Sequence, residues 1–132
     1  MNPLTKLNLL LSFLYLLIGS SLGLMLGFEP ARNFLYSLKG IPSYAHAHIQ
    51  LVGFVTQMIV GVTYHIIPML TRGKVYSFRL GYLHTALLNV GLALQIYGFL
   101  SGNPYFKALG SLILFLAILM YIFNILKSGV WR

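Results

Sequence analysis

Four long apolar runs constrain this chain more than any other feature of its sequence. They fall at about residues 7–28, 44–69, 78–100 and 105–126, and each is long enough to cross a hydrocarbon core of roughly 30 Å. Hydrophobic residues make up 58% of the sequence and charged residues only 8%, which is far from the composition of a soluble domain. We therefore predict an all-α fold, a single integral membrane domain over residues 1–132 in which four helices form an up-and-down bundle.

The basic residues indicate how this bundle lies in the membrane. Nine Lys and Arg residues against one acidic residue give a formal net charge of +8, but they are spread over all the connections, so we expect no nucleic-acid partner. A four-span path places Lys6, Arg72, Lys74, Arg79, Lys127 and Arg132 on one side, and Arg32, Lys39 and Lys107 on the other. The positive-inside rule then predicts that both termini are cytoplasmic, in the inner membrane of a prokaryote.

Local signals refine the first half of the chain. Gly19, Gly23 and Gly27 form a ridge of small residues on the first span, along which another helix can approach closely. In the connection that follows, Pro30 predicts the start of a short helix lying in the headgroup region. Ser43 is placed to cap the second span.

The second span is the most polar of the four. Its polar side chains include His46, His48, Gln50, Gln57, Tyr64 and His65. At about 100° per residue, His46 and His48 diverge by about 200° around the helix axis, whereas Gln50 and Gln57 share the face of His46. Burying an ionisable group inside a membrane costs free energy, so such residues indicate a functional site.

Histidine is the metal ligand that this chain offers, because it contains no cysteine. A haem iron held by two neutral imidazoles is closed to small molecules and suited to electron transfer. His46 and His48 point to opposite sides of one helix, and His65 and His84 lie roughly 25 Å away at about 1.5 Å per residue. We therefore predict a head-to-tail homo-oligomer in which His46 of one protomer and His48 of the next bind one haem iron. The remaining predicted contacts to haem are hydrogen bonds from Gln50 and Gln57 and ion pairs between the propionates and Arg32 and Lys39.

Simpler roles for these histidines stay open. His46 and His48 can each be a hydrogen-bonded residue at the mouth of the helix. His65 and His84 are expected at similar depth across the hairpin of spans two and three, with Tyr64 beside them. They form either a structural hydrogen bond or headgroup contact, or a second haem or quinol site.

The run HAHIQLVGF from His46 to Phe54, with GVTYHIIP from Gly61 to Pro68, resembles the haem-binding helices of haem-copper oxidase subunit I and the nitric oxide reductases. In that family the second helix brings an outer haem-ligating histidine and ends in a Tyr…Pro pattern, which Tyr64 and Pro68 match. A later helix carries His-x-His, whose two histidines serve different haems. The family subunit has twelve helices in three arcs of four, so the resemblance implies a homotrimer of this chain.

The departures from that family point to electron transfer. The third span has no adjacent His-His pair, and the chain has no His-x-x-x-Tyr pattern, so we expect no binuclear oxygen-reducing centre. Our first hypothesis is a b-type cytochrome that passes electrons within or across the membrane, with a quinol or another respiratory-chain protein as partner. The alternatives are a non-enzymatic haem-binding or accessory subunit of a larger respiratory complex, and a small reductase of oxygen or nitric oxide with an open haem site.

Overall fold

The computed structural model describes residues 1–129, which form five helices and no strand. The helices are α1 (Pro3–Gly27), α2 (Glu29–Tyr36), α3 (Pro42–Leu70), α4 (Phe78–Ser101) and α5 (Pro104–Lys127). All except α2 have 24 to 29 residues and are long and apolar enough to cross a membrane. The predictions of an all-α fold and of a membrane protein are confirmed, whereas Arg132 lies outside the described residues.

Polar residues at the helix starts explain where three of these helices begin. The side-chain oxygen of Asn2 accepts a hydrogen bond from the backbone N–H of Thr5 at 2.8 Å, and Ser77 accepts from Leu80 at 3.1 Å. Asn103 caps α5 in the same way. Each cap satisfies an N–H group that has no partner within its own helix.

Two helix starts differ from the sequence-based expectation. The short helix α2 exists as predicted but begins at Glu29, one residue before Pro30. The prediction that Ser43 caps α3 is wrong, because α3 begins at Pro42, whose fixed φ suits the first helical position. The Ser43 hydroxyl instead accepts a hydrogen bond from the Tyr36 hydroxyl at 3.3 Å and ties α2 to α3.

The middle of α3 is a π-helix of 8 residues, Ile49–Thr56, which the apolar periodicity did not predict. A π-helix bonds each N–H to the carbonyl five residues earlier and is wider than an α-helix. The Thr56 hydroxyl also bonds the Leu51 carbonyl, five residues back, at 2.9 Å. Gly53 lies at the centre, and a Cβ there would come within 2.5 Å of the Tyr15 ring. The π-helix thus lies where α3 packs closely on α1.

Glycines also bring the long helices together in pairs. Gly19 of α1 packs against Gln50 and Ile49 of α3, so the predicted ridge is used at this position. In the second pair, a Cβ on Gly110 of α5 would lie 2.6 Å from the carbonyl oxygen of Gly91 on α4. Such close approach strengthens helix contacts in lipid, where there is little hydrophobic force between helices.

The long helices alternate in direction, so that their termini meet at two ends of the bundle. At one end Asn2 donates to the Tyr64 carbonyl at 2.7 Å, and the Tyr76 N–H donates to the Ser128 hydroxyl at 3.0 Å. We call this the basic end, because it carries Lys6, Arg72, Lys74, Arg79 and Lys127. At the other end, which we call the histidine end because it carries His46 and His48, the Ile41 N–H donates to the Phe99 carbonyl at 2.8 Å.

Candidate functional site

His46 faces α1 at the histidine end. Its Nδ1 lies 2.8 Å from the carbonyl oxygen of Gly19. Since a carbonyl only accepts, Nδ1 carries the proton and donates, and in the neutral ring the lone pair is then on Nε2. The half-buried ring lies against Gly23, where an added Cβ would come within 2.8 Å of the imidazole Cε1. The small residues of α1 therefore fix both the position and the tautomer of His46.

His48 faces a different helix. Its Nδ1 lies 2.9 Å from the carbonyl oxygen of Tyr44, one turn earlier, and its ring centroid is 4.8 Å from that of Phe99 on α4. The same reasoning places the proton on Nδ1 and the lone pair on Nε2. The two histidines thus point at α1 and α4, in agreement with the divergence predicted from the helical period.

Both imidazoles have the arrangement that metal-ligating histidines adopt. Such histidines donate their other ring N–H to a carbonyl or carboxylate, which orients the ring and makes the ligating nitrogen more basic. A haem with two axial histidines needs one on each face, and His46 and His48 of one chain face apart. In residues 1–129 no three or more His, Cys, Asp or Glu side chains are grouped to hold a metal ion. The donor chemistry therefore fits haem, but a single protomer presents only one ligand to each side.

The other predicted haem contacts at this end are exposed or bonded within the chain. Gln50 donates to the Ser20 hydroxyl of α1 at 3.3 Å. Arg32 on α2 and Lys39 after it have exposed side chains at the same end as the histidines. Both side chains are therefore accessible to the carboxylates of a molecule bound at the surface of the bundle.

Gln57 lies deeper, in a buried polar network that links α1, α3 and α4. Its side-chain NH₂ donates to Asn8 at 2.9 Å, and its side-chain oxygen accepts from Asn89 at 3.4 Å. Thr85 donates to the same oxygen of Asn8 at 3.3 Å, and the Tyr15 hydroxyl donates to Asn89 at 2.8 Å. Gln57 is fully buried, so a contact with haem requires this network to open.

A second polar cluster lies nearer the basic end and joins α3, α4 and α5. The Tyr64 hydroxyl lies 2.9 Å from Nε2 of His84, and the Asn124 side chain donates to that hydroxyl at 2.6 Å. All three side chains are fully buried, and Nδ1 of His84 has no hydrogen-bond partner among the described residues. The ring of Tyr121 lies 5.4 Å from that of His84.

Of the three predicted second-site residues, the structure brings together Tyr64 and His84 but not His65. His65 is exposed on the surface of α3. Consecutive helix residues are rotated by about 100°, so the inward position of Tyr64 turns His65 outward. Asn124 of α5 bonds to Tyr64 instead, although no site residue was predicted on that span.

Sequence reasoning also missed Asn8, the centre of the Gln57 network. The available signal was an isolated amide in an otherwise apolar span, since a buried amide in lipid needs hydrogen-bond partners on neighbouring helices. Asn8 and Asn124 are both fully buried and both bond across helices.

Comparisons of the chain with curated proteins and with solved structures gave no match. A family match covers residues 3–130 and includes every residue of both polar clusters and of the histidine end. The chain belongs to the family described as a domain of unknown function (DUF8744).

Proposed function

We propose that this protein is a membrane haem protein of the b type that transfers electrons, with His46 and His48 as the iron ligands. The observation that carries the proposal is shared by the two residues: each donates Nδ1–H to a backbone carbonyl, at 2.8 and 2.9 Å. In the neutral imidazole this hydrogen bond leaves the lone pair on Nε2, the atom that would bind the iron. The resemblance of the HAHIQLVGF run to haem-binding helices supports the same assignment.

Haem held between two imidazoles supplies reversible one-electron chemistry and offers no open position to oxygen or nitric oxide. The chain contributes ligand orientation, through Gly19 and Tyr44, and a close packing surface beside His46 at Gly23. Arg32 and Lys39 would pair with the propionates of the haem, and Gln50 would donate a hydrogen bond to it. A quinol or another respiratory-chain protein is the proposed redox partner.

The divergent directions of the two ligands support the proposal of an assembly. His46 faces α1 and His48 faces α4, so each iron takes His46 from one protomer and His48 from its neighbour. A head-to-tail contact of this kind closes into a ring, and the three-arc architecture of the resembling family favours a trimer. The excess of cations at the basic end supports a cytoplasmic position for that end and both termini in a prokaryotic cell, so the haems would lie near the outer surface.

The test is the visible spectrum of the purified protein, with the haem-to-protomer ratio and the mass in detergent. We expect a low-spin spectrum with sharp reduced bands and one haem for each protomer. His46→Ala and His48→Ala should each remove the six-coordinate signal, because every iron in the ring uses one of each. The matched control is His65→Ala, the loss of an exposed histidine from the same helix, which should leave the spectrum unchanged.

Carbon monoxide separates the proposal from its alternatives. The reduced native protein should not bind it, whereas His48→Ala, if it retains haem, should. Binding to the native protein would instead indicate an open site and a reductase. Haem that appears only when other subunits co-purify would indicate an accessory subunit, and a protein that has no haem even with its partners would overturn the assignment.

A further inference from the structure

A cavity at the basic end has a chemistry that the proposed haem site does not use. Its volume is about 890 Å³, and it lies between the turn that joins α3 to α4 and the end of α5. Three cationic residues line it, Arg72 and Lys74 from the turn and Lys127 from α5. Because the bundle ends here, the cavity opens at the level of the membrane surface.

No acidic side chain neutralises these three cations. The only Asp or Glu of the sequence is Glu29, which begins α2 at the histidine end, on the other side of the bundle. Membrane-flanking cations are common, and on their own they indicate only orientation. A cavity lined by three cations from two separate elements is a more specific feature, because all three can contact one ligand.

The wall of the cavity is fixed by hydrogen bonds to α5. The backbone N–H of Tyr76 donates to the Ser128 hydroxyl at 3.0 Å, and that of Ser77 donates to the Asn124 side chain at 3.1 Å. Asn124 returns a hydrogen bond to the Ser77 carbonyl at 2.9 Å. Since Asn124 is fully buried and Ser128 is 7% exposed, these bonds are protected from water and anchor the end of the turn.

Apolar and aromatic side chains line the same cavity. Leu70 ends α3 with 65% of its surface exposed, Phe78 begins α4 with 40% exposed, and Tyr76 between them is 55% exposed. A free phosphate ion gains no affinity from these apolar side chains. A phospholipid does, because its phosphate lies at the membrane boundary and its acyl chains lie directly below. The cavity is thus lined by both cationic and apolar side chains.

We propose that this cavity binds the phosphate-bearing headgroup of an anionic phospholipid. Arg72, Lys74 and Lys127 attract the phosphate, and the first part of the acyl chains packs on Leu70 and Phe78. Basic pockets between membrane helices on the cytoplasmic side suit this class of ligand. The proposal is independent of haem, because no residue of the cavity lies at the histidine end.

The experiment is native mass spectrometry of the delipidated protein in detergent, titrated separately with phosphatidylglycerol and phosphatidylcholine. We expect phosphatidylglycerol to bind at least about tenfold more tightly, since each basic residue near an anionic surface contributes roughly a fivefold factor. Equal binding of the two lipids would overturn the proposal, whatever any variant does.

Paired variants locate the site. Lys74→Gln combined with Lys127→Gln should reduce phosphatidylglycerol binding roughly 10- to 30-fold, because two of the three cations are lost. Lys6→Gln combined with Lys107→Gln removes two charges that do not line the cavity and should leave binding unchanged. An equal loss in both double variants would show a general effect of net charge and would contradict a site in the cavity.

Inorganic phosphate distinguishes the two sources of the ligand. At millimolar concentration it should compete weakly with phosphatidylglycerol, because it lacks the acyl chains that contact Leu70 and Phe78. Complete displacement of the lipid by micromolar phosphate would show that the cavity binds a soluble anion, and would contradict the lipid assignment.

Discussion

The hydroxyl oxygen of Tyr64 lies 2.9 Å from Nε2 of His84, across the interface between α3 and α4. Asn124 of α5 donates a side-chain N–H to the same hydroxyl at 2.6 Å, so the hydroxyl accepts from Asn124 and is free to donate to His84. His84 then receives the hydrogen bond at Nε2 and carries its proton on Nδ1. One phenol group thus connects three helices in the membrane interior.

Replacing Tyr64 with Phe tests the importance of this connection. The ring and its packing are kept, but Nε2 of the buried His84 loses its partner and Asn124 loses one of its two acceptors. A buried group left without a hydrogen bond costs about 1–3 kcal/mol, so we expect Tyr64→Phe to lower the free energy of unfolding by that amount. Unfolding in detergent, followed by helical circular dichroism, measures it.

Tyr97→Phe is the matched control for that substitution. Tyr97 lies on α4 with 56% of its surface exposed, and its hydroxyl makes no hydrogen bond with residues 1–129. Its loss should change the free energy of unfolding by less than about 0.5 kcal/mol. Equal effects of the two substitutions would show that the Tyr64 hydroxyl contributes nothing specific.

The packing of His46 on Gly23 gives a second prediction. In Gly23→Ala the new Cβ would lie 2.8 Å from the imidazole Cε1, so the ring must move and its hydrogen bond to Gly19 is lost. Under the proposed function we expect a weakened six-coordinate haem spectrum, because Nε2 is no longer oriented toward the iron. Gly27→Ala is the control, since a Cβ at Gly27 meets nothing within 4 Å. An unchanged spectrum in Gly23→Ala would argue against His46 as a ligand.

Gly110→Ala should destabilise the contact between α4 and α5. The added Cβ would lie 2.6 Å from the backbone nitrogen of Gln95 and from the carbonyl oxygen of Gly91, and backbone atoms cannot move aside as a side chain can. Overpacking of this kind costs about 1–3 kcal/mol, more than the gain in helix propensity of roughly 1 kcal/mol. A lower midpoint of thermal unfolding than in native protein is expected, and a higher one would contradict the close contact.

The four long helices could be predicted from the sequence because the bilayer itself sets their length and their apolar character. The ends of α4 show how far this extends: Phe78 was predicted as the start, and the helix ends at Ser101, one residue beyond the expected end. The start of α3 was misplaced, because a proline and a serine stand side by side and either can begin a helix. Proline at the first helical position prevailed over a serine cap.

The candidate site could be predicted only in part. The α-helical period correctly predicts that His46 and His48 lie on different sides of α3, because both belong to one α-helical segment, Pro42–His48. It does not identify partners across helices. The bonds from Gln57 to Asn8 and from Tyr64 to Asn124 depend on which helices become neighbours, and on the rotation of each about its axis.

The π-helix of α3 makes the last prediction possible, because its wide turns hold one residue more than α-helical turns would. Removing Leu51, whose side chain is 63% exposed, should allow the wider turns to close to α-helical geometry. The extra residue is then lost, so His46 should keep its direction relative to Tyr64 and its contact with Gly19. We expect the deletion variant to retain both its helical circular dichroism and the six-coordinate haem signal. The matched control removes Ile59, which is 53% exposed and lies in the α-helical part of α3, where no wide turn can absorb the loss. The histidine end should then rotate by about 100° and the signal should disappear. Loss of the signal in both deletion variants would show that the π-helix does not absorb the missing residue.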